Sequence, residues 1–117
     1  MTMDLKRILD AVETTTGIKP TAFSSKTVNS FPSITYQAYR ESDDGVKELW
    51  RFQTRISCDS YAEAIEIDAA LAEALCTVGD EEKHGCLYIA INGGGTLEDD
   101  TTGVPQIITY YDLLTRS

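Results

Sequence analysis

The sequence predicts an α+β fold: a mostly antiparallel sheet with a short N-terminal helix and one long helix packed on one face. Three observations lead there. Residues 46 to 58 alternate in character with a period of two, the mark of a strand with one face on a core. Residues 61 to 78 place Tyr61, Ala64, Ile65, Leu71, Leu75 and Val78 near one stripe at helical spacing. The elements run helix, hairpin, long helix and two strands, without an internal repeat, an order that suits helices laid on one face of an antiparallel sheet. The 117 residues are the size of a single domain, read as 1–117, and 42% hydrophobic content is ordinary for a globular chain.

The first helix rests on Leu5, Ile8, Leu9 and Val12, which recur every three or four residues. Thr2 or Asp4 can cap its start, Gly17 can end it, and Pro20 stops any continuation. Lys19 to Ser30 is polar and reads as a connection with one edge strand near Thr21 to Phe23. Phe31-Pro32 then leads into a strand from Ile34 to Arg40, since proline biases the residue before it toward extended geometry. Ser42-Asp43-Asp44-Gly45 supplies turn chemistry.

On the next strand Val46, Glu48, Trp50, Phe52, Thr54, Ile56 and Cys58 share one face, and Lys47, Leu49, Arg51, Gln53, Arg55 and Ser57 the other. Asp59 or Ser60 opens the long helix, with Glu63 placed for a capping box. The helix is expected to reach Val78, about nineteen residues or roughly 28 Å, with Gly79 just past its end. Trp50, Phe52 and Ile56 are expected to pack on Ile65, Leu71 and Leu75. An acidic turn, Asp80-Glu81-Glu82, leads to a strand from Cys86 to Asn92, which Gly93-Gly94-Gly95 is expected to break. Gly93 to Pro105 reads as a mobile loop carrying Glu98, Asp99 and Asp100, and Gln106 to about Leu114 as the last strand.

Nineteen acidic residues against ten basic ones give a formal charge of −9. That disfavours sequence-specific or broad nucleic-acid binding, which needs cations to displace counterions, and disfavours an anionic membrane surface. No stretch has the apolar length of a membrane helix or a signal peptide, so a cytoplasmic protein is expected. Cys58, Cys76 and Cys86 are odd in number and irregular in spacing, as reduced thiols would be.

No residue pattern carries a catalytic, cofactor or metal site. His84 with the three cysteines offers zinc-ligand types, yet His84-Gly85-Cys86 lacks the spacing of a zinc clip. The same pair is too close in sequence for cysteine–histidine catalysis. Gly93-Gly94-Gly95 precedes Thr96 and three acids rather than a lysine and a helix, so it reads as a flexible turn and not a phosphate cradle. Glu98, Asp99 and Asp100 lack the alternating spacing of a calcium loop. Arg51, Gln53 and Arg55 share one strand face and are the candidate polar interface for acids of a neighbouring chain.

Phe31-Pro32-Ser33-Ile34-Thr35-Tyr36, then the strand Leu49 to Cys58 running directly into Asp59-Ser60-Tyr61-Ala62-Glu63-Ala64, then paired tyrosines in the last strand, together resemble the tail terminator proteins of long-tailed bacteriophages. These are also called tail completion or tail-to-head joining proteins. A Pro-x-Ile-Thr-Tyr strand opening and a Ser-x-x-Glu-Ala helix start are the matching segments; Asn92 to Pro105 departs from the family's pattern. The resemblance implies a structural phage or prophage protein, not an enzyme, that closes into a ring, usually a hexamer. It would cap the tail tube and meet a head-connector protein, assembling in the host cytoplasm and residing in the virion tail. Its partners would be copies of itself, the tail-tube protein and the connector. Arg51, Gln53 and Arg55 would serve one subunit interface, and Glu98, Asp99 and Asp100 the other side or the lumen. The alternatives are a head–tail connector subunit and a small cytoplasmic ligand-binding domain with His84 and the three glycines near a pocket.

Overall fold

A computed structural model describes residues 4–22, 32–79, 81–98 and 104–116. The chain forms α1 (Leu5–Thr16), β1 (Thr21–Ala22), β2 (Ser33–Asp43), β3 (Lys47–Ser57) and α2 (Tyr61–Leu75). It continues through β4 (Thr77–Val78), the single turn α3 (Glu81–His84), β5 (Tyr88–Glu98) and β6 (Pro105–Arg116). The fold is α+β, with one six-stranded sheet in the order β1-β2-β3-β6-β5-β4. All neighbouring pairs are antiparallel except β1 with β2. No helix among the described residues is long and apolar enough to cross a membrane.

α1 has the ends its sequence predicts. The Asp4 side chain accepts from the Arg7 amide, and Gly17 closes the helix in the left-handed region at φ 73°. Ile8 and Val12 are buried. The Thr21–Ala22 edge strand is present; Phe23 and Thr2 lie outside the described residues. The first hairpin turns at Asp43-Asp44-Gly45. The Asp44 carboxylate accepts from the amides of Val46 and Lys47, and Gly45 supplies φ 86°.

β3 and β6 form the spine. Trp50, Phe52, Thr54 and Ile56 stand opposite Leu113, Tyr111, Thr109 and Ile107, and these positions share one sheet face. Phe52 stacks between Tyr36 and Tyr111, with ring centroids 6.0 and 6.3 Å away. The core also takes Ile34, Ala64, Leu71, Leu75 and Ile89.

Several expectations are corrected. The long helix stops at Leu75, about 22 Å for fifteen residues, and not at Val78. Cys76 turns extended (φ −65°, ψ 130°), and the β-branched Thr77 and Val78 pair with Ile89 and Tyr88 as β4. Gly79 therefore follows a strand rather than capping a helix. Ser60 is the N-cap, but its side chain makes no capping hydrogen bond, so the capping box is not formed. Ile65 is 55% exposed and Val78 85% exposed, so neither joins the core; Trp50 is only half-buried. The acidic turn contains the helical turn α3, with Asp80 outside the described residues.

The largest correction concerns the three glycines. They do not end the strand: β5 runs on to Glu98, paired with β6 as far as Pro105. A bulge between Ile91 and Gly94 sets Asn92 and Gly93 against Tyr110. A Cβ on Gly94 would overlap the carbonyl oxygen of Ile108 and lie 3.1 Å from Thr109 Cα, so glycine lets the two backbones come together.

Candidate interaction surface

The helices lie over the face bearing Phe52 and Tyr111. The opposite face carries Thr35, Gln37 and Tyr39 on β2, Arg51, Gln53 and Arg55 on β3, and Ile108, Tyr110 and Asp112 on β6, as the register requires. Arg51, Gln53 and Arg55 thus stand side by side, as their two-residue spacing predicts, and all three are half-buried.

Arg51 is already engaged within the chain. Its guanidinium lies 3.3 Å from Glu41 and 3.5 Å from Asp112, and 5.9 Å from the centre of the Tyr110 ring. Burial works against its charge, but Tyr39, Glu41 and Asp112 outweigh that and raise its pKa further. Asn92 donates to the other Asp112 oxygen at 2.7 Å, which ties the β5 bulge to the same network. The sequence exposed the arginines of this face, not the acids that hold one of them: Glu41 and Asp112 sit on two other strands and meet Arg51 only through sheet pairing. Glu98 closes β5 through its backbone pairing with Pro105, while Asp99 and Asp100 lie outside the described residues.

The buried His84 ring has Nε2 2.8 Å from the carbonyl oxygen of Ala74, near the end of α2. Cys86 Sγ donates to the His84 carbonyl oxygen at 3.7 Å. Burial pushes the thiols of Cys58 and Cys76 up, which keeps them in the less nucleophilic protonated form. Among the described residues, no group of three or more His, Cys, Asp or Glu side chains is arranged to hold a metal ion. A hollow of about 550 Å³ opens beside β1, lined by Ala22, Tyr36, Gln37, Ala38 and Tyr39. Neither His84 nor the three glycines lines it.

Tyr111 is buried with its hydroxyl lacking a hydrogen-bonding partner among the described residues. Burial, with Asp68 adding, drives its pKa well above the usual phenol range. Thr109 beside it donates to Asp68 Oδ1 at 2.7 Å, which anchors α2 to the sheet.

No protein-family model matches this chain, and a search of curated proteins returns no match.

Proposed function

We propose that the chain is a structural subunit that closes into a ring on the end of a phage tail tube, the role of the tail terminator proteins it resembles. The observation that carries this reading is the second sheet face, broad, polar and aromatic, with no described helix over it. A ring needs a heterologous interface, in which one surface of a subunit meets a different surface of the next. The face of Gln53 and Arg55 supplies one side, and the acidic stretch Glu98 to Asp100 the other side or the lumen. Such complementarity orients assembly more than it tightens it. With −9 on each subunit, closure works against self-repulsion, so added salt should favour the ring.

The test is electron microscopy of the chain mixed with its own tail-tube protein. Reversing Arg51 would set a third carboxylate beside Glu41 and Asp112, so the informative variant is Gln53→Glu with Arg55→Glu. The wild type is expected to cap tubes at uniform length, and the variant to leave them uncapped with its melting temperature unchanged. A variant that caps normally would overturn the interface. A wild type that neither caps tubes nor limits their length would overturn the terminator reading.

A further inference from the structure

β5 is the outermost long strand on its side of the sheet. β4 pairs with it only at Tyr88 and Ile89, and from Asn92 to Glu98 no described strand runs along its outer side. A strand edge presents N–H and C=O groups ready to accept another strand, and proteins usually blunt it with lysine, proline or inward charge. Residues 92–97 read Asn-Gly-Gly-Gly-Thr-Leu and carry no charge or proline; the bulge at Asn92 and Gly93 is the one blunting feature in this stretch, and regular pairing with β6 resumes from Gly94. Gly94 is explained by its approach to β6. Gly95 is not: a Cβ there would meet nothing within 4 Å, and its φ is not in the left-handed region. Glycine in a strand suits a place where a further backbone comes close.

The flank of α2 beside this edge is apolar. Ile65, Asp68 and Ala72 follow at three- and four-residue spacing along one line of the helix, which Cys76 follows as the C-cap. Asp68 reaches Thr109 on β6, and Thr77, just past the end of the helix, pairs with Ile89 on β5, so this line faces the β5 side. Ile65 and Ile91 are 55% and 51% exposed. A strand edge with no described neighbour and a shelf carrying Ile65, separate in sequence, therefore lie on the same side of the fold.

We propose that this edge and shelf form a docking site for an extended segment of another protein, which adds to β5 as a further strand. Alternate side chains of the segment, apolar ones, would rest on Ile91 and Ile65, as strand addition requires. Its remaining positions would be rich in lysine or arginine. The charge argument selects that occupant. Glu66 and Glu73 are exposed on α2, Asp68 lies at the shelf, and the chain carries −9, which opposes a second copy and favours a basic partner. The shelf lies on the sheet face opposite Gln53 and Arg55, and only the end of the edge at Glu98 adjoins the acidic stretch proposed for the other side of the ring.

The probe is a capped peptide of about ten residues alternating valine and lysine, long enough to line the open part of β5. Its control has the same composition with the valines and lysines in two blocks. Amide hydrogen exchange and titration are followed on the full chain. The alternating peptide is expected to bind and to slow exchange across residues 92–97. The variant Ile65→Ser with Ile91→Ser, whose side chains are largely exposed, should melt as the wild type does and bind at least about tenfold more weakly. No binding of the alternating peptide would overturn the proposal. So would equal binding of the block peptide without protection of 92–97, or unchanged affinity in the variant. Protection of 92–97 that appears on raising protein concentration without peptide would assign the edge to a second copy instead.

Discussion

The two hairpins of this sheet are built on different principles. In β2–β3 side chains alternate from Ser33 to Arg40 against Trp50 to Ser57, the turn is an aspartate–glycine turn held by its own carboxylates, and the register slips once, between Arg40 and Ser42. In β5–β6 the register slips at Asn92 and Gly93, and the strand continues through residues that have no side chain to pack. The first hairpin is held by what its side chains bury. The second depends, over its outer half, on how closely two backbones can approach. The first accordingly belongs to the core, and the second ends in an edge along which no described strand runs.

The strongest way to break the first hairpin is at Phe52, which is 1% exposed and packs on Tyr36 and Tyr111. Phe52→Ala should cost about 3–5 kcal/mol in urea unfolding. Ile65→Ala, at an exposed position, should stay within about 0.5 kcal/mol; a loss as large as that at Phe52 would return Ile65 to the core. The second hairpin should break at Gly94. Gly94→Ala forces a Cβ against the Ile108 carbonyl at φ 151° and should cost about 1–3 kcal/mol or more. Gly95→Ala meets no neighbour and should be neutral or stabilising by up to about 1 kcal/mol. Equal losses at the two glycines would refute the backbone-approach account.

Smaller effects sharpen the same contrast. Arg51 bridges the hairpins through Glu41 on β2 and Asp112 on β6. Arg51→Gln should lower the melting temperature less than Gly94→Ala does, by an amount that shrinks as salt rises. The smallest effect belongs to Asp44, whose carboxyl is held below its usual range by the amides of Lys47 and Val46. A depressed folded-state pKa contributes stability that is fully present above the unfolded value, about 3.9, and is lost as pH falls through the folded one. Asp44→Asn should therefore flatten the acid side of the melting-temperature profile below about pH 4. A profile as steep as the wild type's would show that the turn does not contribute to it.

The sequence by itself determined the elements whose side chains repeat. The two faces of β3, the Asp4 and Gly17 ends of α1 and the aspartate–glycine turn were legible because burial and local hydrogen bonding act within a few residues. The grouping of Arg51, Gln53 and Arg55 on one face followed from strand geometry alone. Only the tertiary structure decided where α2 ends, because Thr77 and Val78 leave the helix for a pairing with Ile89 and Tyr88 on β5, beyond the reach of helical periodicity. It also decided that Ile65 is exposed, because α2 is apolar nearly all round and its own periodicity cannot choose the face that meets the sheet. The three glycines became strand rather than turn for a related reason. Glycine carries no pattern of its own, and its conformation there was set by the ladder that β6 offers across the sheet.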